Sequence, residues 1–249
     1  MSFPIDHLFT VTRRREAARA ALARLGFTLT ERGEHPGRGT SNHLMFFGRC
    51  YWELLSIDEL SPGNQMLLAH AHTLAGCALR TRDAAQDAAA AQRAGAQSQG
   101  IESITRPVSV AGEWKTARFT IAPLTLPDTV QAHFFFCQHL TPELVWPREA
   151  PRHANGAFRL QAVHVAGPDA AVARETLGPL LGEGGGEEPQ IVYASGAASG
   201  VRLAALQFQV RDLSDTLSHL YAQGVIHRRE RDQITVDSEL IGHSLIFRA

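Results

Sequence analysis

Cysteine is scarce in this chain of 249 residues: Cys50, Cys77 and Cys137 form no CxxC, and an odd number leaves no complete pairing. A disulfide framework is thereby excluded and reduced thiols are expected. Beside bulky or aliphatic neighbours each thiol reads first as small core filler, and second as a reactive or ligating group. An excess of one charge is lacking too. Lys and Arg number 24 against 25 Asp and Glu, a net charge of −1, so no basic field attracts nucleic acid or an anionic membrane. No apolar run approaches the ~18 residues that cross a bilayer. The opening Met1-Ser2-Phe3-Pro4 enters a strand almost at once, without the layout of a signal peptide, and a cytoplasmic protein is expected. Gly184-Gly185-Gly186 lacks the Lys-Ser/Thr of a phosphate loop and follows a helical stretch instead of preceding one, so no nucleotide cofactor is expected. No Ser/His/Asp arrangement stands out.

What is present is ordinary in amount and repetitive in order. Hydrophobic residues make up 44%, enough at this length for one large domain or two of usual size. A unit of strand, helix and further strands recurs four times. Unit one has the strand Ile5–Val11, a helix with Ala17, Ala18, Ala21, Leu22 and Leu25 on one stripe, a stop at Gly26, then strands Phe27–Glu31, Leu44–Phe47 and Cys50–Ile57. Unit two starts at Cys77–Thr81, with an alanine-rich helix from Ala84 to about Arg93, a stop at Gly95, and strands Ile104–Val110, Ala117–Ala122 and Ala132–Leu140. Unit three is abbreviated: strand Leu160–Val165, a helix near Asp169 ending at Gly182, and strand Gln190–Ala194. Unit four runs from Leu203–Val210 through a helix after Asp212, a stop at Gly224, and strands Val225–Arg229, Gln233–Val236 and His243–Arg248. Aspartates accept bonds from free N–H groups at helix starts, and glycine adopts the left-handed turn that ends them. Ser61–Gly76 reads as an extra helix, Ser195–Gly200 as a surface loop, and the proline-rich Pro142–Gly156 as a hinge. The expected domains are therefore residues 1–150 and 151–249.

The chemistry concentrates between Ile5 and Ile57. Strand side chains alternate between faces, so His7 travels with Phe9 and Val11, and Glu53 with Tyr51 and Leu55. An imidazole and a carboxylate among apolar neighbours are costly to bury alone, so each needs a partner, a ligand or a metal. The plain alternatives are a backbone hydrogen bond for His7 and a structural ion pair for Glu53. The loop His35–His43 is either a solvated turn or a pocket rim with Asn42 or His43 pointing inward. In His133–His139, alternation puts His133, Phe135, Cys137 and His139 on one face, and Phe134, Phe136 and Gln138 on the other. Trp114 is either an aromatic wall or ordinary packing. His164 and His243, without a matching carboxylate, read as structural.

A histidine on the first strand, a glutamate on the fourth and repeated β-α-β-β-β units resemble the vicinal oxygen chelate superfamily, which includes glyoxalase I. The nearer likeness is to the glyoxalase-like domain proteins, through Ile5-Asp6-His7-Leu8, the loop His35-Pro36-Gly37-Arg38-Gly39-Thr40-Ser41-Asn42 and the strand Tyr51-Trp52-Glu53-Leu54-Leu55. It is clear over residues 4–57 and recurs at Phe134–Gln138 and His153–Ala157. The resemblance implies an α+β fold of βαβββ modules in cupped, incomplete mixed-sheet barrels, four modules in two pairs. It also implies a divalent metal (zinc, nickel, manganese or iron) held by the first-strand histidine and fourth-strand glutamate of each unit, here His7 and Glu53. Unit two departs from that pattern. Leu79, Arg80 and Thr81 stand where a histidine is expected, and Gln138 near the expected glutamate. His139 or His133 then completes the metal set; Gln138 is a neutral ligand or bonds a substrate carbonyl. Arg80 repels a metal and binds an anionic substrate, or pairs with Glu53.

Two functions follow from the resemblance and stay open. One is a metal-dependent lyase, isomerase or dioxygenase-type enzyme acting on a carbonyl or two neighbouring oxygens, with Glu53 as ligand or proton shuttle. The other is a metal-free small-molecule binder like the drug-sequestering, bleomycin-resistance-like members, with Phe9, Tyr51, Trp114 and Phe136 as walls. The expected substrate-binding residues are Asn42, His43, Tyr51, Arg80, Trp114, Phe136 and Gln138; the expected metal ligands are His7, Glu53 and His139. The expected partner is a small molecule, neither nucleic acid nor membrane, with the chain a monomer or homodimer.

Overall fold

A computed structural model describes residues 2–92, 95–110, 112–149, 151–196 and 200–249. Unit one comprises β1 (Ile5–Thr12), α1 (Arg15–Arg24), β2 (Gly33–His35), β3 (Thr40–Phe47) and β4 (Cys50–Ile57). Unit two comprises β5 (Thr73–Arg80), α2 (Ala84–Gln92), β6 (Gln97–Ser98), β7 (Glu102–Val110), β8 (Glu113–Thr125) and β9 (His133–His139). Unit three is β10 (Ala157–Gly167), α3 (Ala170–Leu181) and β11 (Gln190–Ser195). Unit four is β12 (Arg202–Val210), α4 (Leu213–Ala222), β13 (Arg228–Arg229), β14 (Gln233–Ser238) and β15 (His243–Arg248). The helices obey the signals in the sequence. Asp169 accepts a bond from the Val172 N–H and Asp212 from the Ser214 N–H, while Gly26 takes the left-handed φ of +88° that turns the chain out of α1.

The α+β units pair as expected. Strands of units one and two form one sheet in the order β2-β3-β4-β1-β5-β9-β8-β6, with β7 also on β8; units three and four form a second, β11-β10-β12-β15-β14-β13. At the centre of the first sheet β1 and β5 run antiparallel, His7 opposite Ala78 and Phe9 opposite Gly76, so a local two-fold relates the units. Alternation then sorts the side chains. Leu8, Met45, Phe47, Trp52, Phe134 and Phe136 face backward into the main core, which they share with Phe208 and Phe247 of the second sheet. His7, Phe9, Asn42, Tyr51, Glu53 and Phe135 face forward into the concave side, where they line a cavity. Packing the two sheets back to back thus leaves the cup of the first one free for a ligand.

Several expectations change. Ser61–Gly76 is not a helix: one 3-10 segment, Gln65–His70, precedes β5, which starts at Thr73. Thr40 to His43 are not loop but the start of β3, and Phe27–Glu31 carries no strand. The segment Pro142–Gly156 is a clasp instead of a hinge. Buried His153 accepts from the Thr28 N–H through Nδ1 and bonds the Phe46 carbonyl through Nε2, and Asn155 donates to the Leu25 carbonyl. Arg93 and residues 197–199 of the loop 195–200 lie outside the described residues. No helix among the described residues is long and apolar enough to cross a membrane.

Candidate functional site

The site begins with an irregularity in β1. Against β5 the register slips between Ile5 and His7, a bulge that lets two successive residues lie on one side. Ile5 thereby joins Leu8 in the core, and Asp6 swings to the His7 side. The buried Asp6 carboxylate accepts from His7 Nδ1 at 2.7 Å and from His139 Nε2 at 3.0 Å, with Arg80 Nε 3.9 Å from its other oxygen. Burial alone would raise this carboxyl, but the bonds from His139 and His7 and their charges outweigh it and hold it well below the usual carboxylate range.

With Nδ1–H committed to Asp6, His7 turns Nε2 toward Glu53 Oε2, 3.6 Å away, and its ring stacks on Tyr51 at 4.4 Å. A carboxylate on the far nitrogen is the usual way to fix an imidazole's tautomer. The other Glu53 oxygen accepts from Asn42 Nδ2 at 2.6 Å, and Asn42 Oδ1 accepts from Arg106 Nη1 at 3.0 Å. His35 Nε2 lies 3.3 Å from Asn42 Nδ2; burial lowers the His35 pKa, which suits a neutral ring that accepts. These groups border a cavity of about 740 Å3, within the range of small-molecule sites. Its remaining walls are largely apolar, Phe9, Leu55, Leu67, Phe119, Ile121 and Phe135 among them. At the far end His133 packs edge-on to His70 at 4.5 Å, and burial, with His70 beside it, pushes its pKa down to about 4.

Of the residues named from sequence, His7, Phe9, Asn42, Tyr51 and Glu53 come together in the cup, with His133 at its far end. The others do not. His43 points to the opposite face of β3, where its Nδ1 bonds the Thr30 carbonyl. Arg80 is a structural clasp, bonded to Glu188 and to the carbonyls of Ile5 and Arg49. It pairs neither with Glu53 nor with the cavity. Trp114 is 77% exposed at the β7–β8 hairpin, and the tryptophan that packs on Phe46 and Tyr51 is Trp146. Phe136 faces the core against Phe3, so Phe135 is the wall. Gln138 bonds the Arg82 carbonyl and the Ala84 N–H at the start of α2. His139 reaches His7 only through Asp6. Asp6, His35 and Arg106 were missed.

The metal expectation can be tested against the donors present. Pairing sets His7 opposite Tyr51 and Phe9 opposite Glu53 in unit one, Gly76 opposite His133 and Ala78 opposite Phe135 in unit two. The local two-fold therefore carries His7 onto Gly76 and Glu53 onto Phe135. Gly76 has no room for a ligand: a Cβ there would stand 2.3 Å from Phe9 Cζ and 2.3 Å from the His133 carbonyl oxygen. Unit one keeps two donors at a separation two ligands of one ion can adopt, and unit two supplies none at the matching positions, Gly76 and Phe135. Among the described residues one group of three donors lies within 4.8 Å, Asp6, Cys137 and His139. There the carboxylate oxygen already serves two imidazoles, and burial pushes the Cys137 thiol well up, away from the thiolate a metal needs. The donors therefore do not fit a tightly held divalent ion, which takes three or more protein ligands.

Solved structures with the same architecture are distant in sequence. A hypothetical protein from Staphylococcus aureus matches with a TM-score of 0.68 at 12% identity, covering 98% of each chain. A mutant 4-hydroxymandelate synthase from Streptomyces coelicolor matches at 0.62 and 15% identity, over 99% of this chain and 93% of that one. A fusion of a xylose isomerase-like TIM barrel with 4-hydroxyphenylpyruvate dioxygenase matches at 0.54 and 14%, over 100% of this chain and 49% of the fusion. Identities this low carry the fold alone. Among curated proteins none matches. The family model for the glyoxalase-like domain matches residues 5–181, well over half the chain, and spans both units of the cup. The chain belongs to the glyoxalase-like domain family.

Proposed function

We propose that the cup of the first sheet binds a small organic molecule with an apolar body, and that His7 and Glu53 form its reacting end without a resident metal ion. One observation carries this reading: the polar groups Asp6, His7, Glu53, Asn42 and Arg106 run in an unbroken chain along one side of a largely apolar cavity. Orienting bonds from Asp6 and Asn42 leave His7 Nε2 and Glu53 Oε2 facing one another at 3.6 Å. Two lone pairs at that distance favour a proton or an acidic hydrogen of the ligand between them. A ligand C–H beside a carbonyl, presented from the cavity to the edge of this pair, meets a base in either His7 Nε2 or Glu53 Oε2. A proton taken from the hydroxyl-bearing carbon and returned to the carbonyl carbon, with the hydroxyl proton passing to the carbonyl oxygen by way of the enediol, isomerises a hydroxycarbonyl compound with no oxidant or added group required. The drug-sequestering reading shares the pocket and omits this step.

The test is a thermal-shift screen of small carbonyl compounds, with hits followed by proton NMR in D2O. Compounds bound in the cup lose most of their stabilising effect in His7→Ala and Glu53→Gln proteins. Deuterium enters beside the carbonyl at least ~100-fold faster with the wild type than with either variant. Hits that stabilise both variants fully would place binding elsewhere; bound compounds that never exchange would leave sequestration alone.

A further inference from the structure

We infer that the ligand of the cup is an organic anion, held through a carboxylate on the Nε/Nη2 edge of Arg106; this rests on the cup being the ligand site. Arg106 is 8% exposed, sits on β7, and faces the cavity. A buried guanidinium normally lies against a carboxylate, because an unpaired charge is costly to desolvate. Here no carboxylate pairs with it among the described residues. Nη1 donates to the neutral Asn42 amide, and Nε is buried without any partner. The fork formed by Nε and Nη2 is the edge that grips a carboxylate with two parallel bonds, and it is the edge left free.

The slot is built for this side chain. β2 and β7 face each other at the open seam of the barrel, where they are joined by side chains and not by paired strands. Arg38 meets Glu102 at the rim, and Arg106 meets Asn42 inside. Gly33 of β2 leaves the space: a Cβ there would lie 2.4 Å from Asn42 Oδ1 and 2.7 Å from Arg106 Nη1. Glu53 meets Arg106 only through the neutral Asn42 amide, so the Nε/Nη2 edge of the guanidinium is left for a second anion. A ligand anchored at Arg106 places its neighbouring atoms one amide's width from Glu53 and His7. An acid with a carbonyl or hydroxyl next to its carboxylate fits that spacing.

Matched probes test this: 3-phenylpropanoate and 4-phenylbutanoate, each against its uncharged amide, by calorimetry at pH 7. The wild type should bind at least one acid about tenfold or more tightly than its amide. Arg106→Met should bind acid and amide alike, Arg106→Lys should keep part of the preference, and Gly33→Ala, which displaces the guanidinium, should reduce it. His7→Ala should retain the acid preference even where overall affinity falls, which separates this inference from the role given to His7. Should Arg106→Met fail to fold, the wild-type ratio and the lysine variant decide. Equal binding of acid and amide by the wild type, or no binding of either acid, overturns the anion site. An amide bound in the cup would leave the pocket itself standing.

Discussion

Asp6→Asn is expected to destabilise the fold by about 3–5 kcal/mol, the cost of removing one partner from a buried charge cluster, or roughly 10 °C in melting temperature for a chain of this size. The substitution keeps the shape and removes the charge. His7 Nδ1, His139 Nε2 and the Arg80 guanidinium all converge on the Asp6 carboxylate, and His139 Nδ1 already lacks a partner. The pH dependence fixes the sign. The folded carboxyl titrates below its unfolded value, so its contribution is complete above the unfolded range and drains as pH falls below about 4. Urea melts at pH 7, 5 and 3 should show the gap between wild type and variant holding from 7 to 5 and narrowing toward 3. A gap unchanged down to pH 3 would mean that Asp6 acts through packing alone.

Trp52→Ala is expected to cost about 3–5 kcal/mol and to weaken both halves of the chain at once. The indole is fully buried between the sheets, edge-on to Phe27 at 5.6 Å and near Phe208 at 6.1 Å. Its N–H donates to Thr10 Oγ1, which in turn meets His243 Nε2 of β15, each at 2.9 Å. Burial pushes the His243 pKa down to about 4, in keeping with a neutral ring that accepts the Thr10 hydroxyl. Far-UV circular dichroism and the fluorescence of Trp114 and Trp146 should report one shared urea transition, shifted together by the variant. Separate transitions for residues 1–150 and 151–249 would show two domains merely touching.

The fold was legible because its signals are local and repeated. Apolar stripes and glycine stops mark every unit, aspartate starts mark units three and four, and His7 and Glu53 stand out as polar residues in apolar strands. The rest of the site depends on register, which spacing does not reveal. Asp6 lies opposite to His7 by strict alternation, and only the β1 bulge brings the two together. Arg106 is followed by Pro107 in a strand of mixed exposure, so nothing local marks it as a cavity residue. Leu79, Arg80 and Thr81 stand in the sequence where a second histidine is expected, whereas the local two-fold about β1 and β5 carries His7 onto Gly76. Trp114 shows the converse error, since an aromatic at a hairpin tip has nothing to pack against.

Metal content is the most direct measure of whether a half-set of donors works as an organic pocket. Protein expressed with added zinc, nickel, manganese and iron, then analysed for elements, should hold well under one ion per chain, and its melting temperature should not move after EDTA. One ion per chain, lost together with thermal stability in both His7→Ala and Glu53→Gln, would contradict the account.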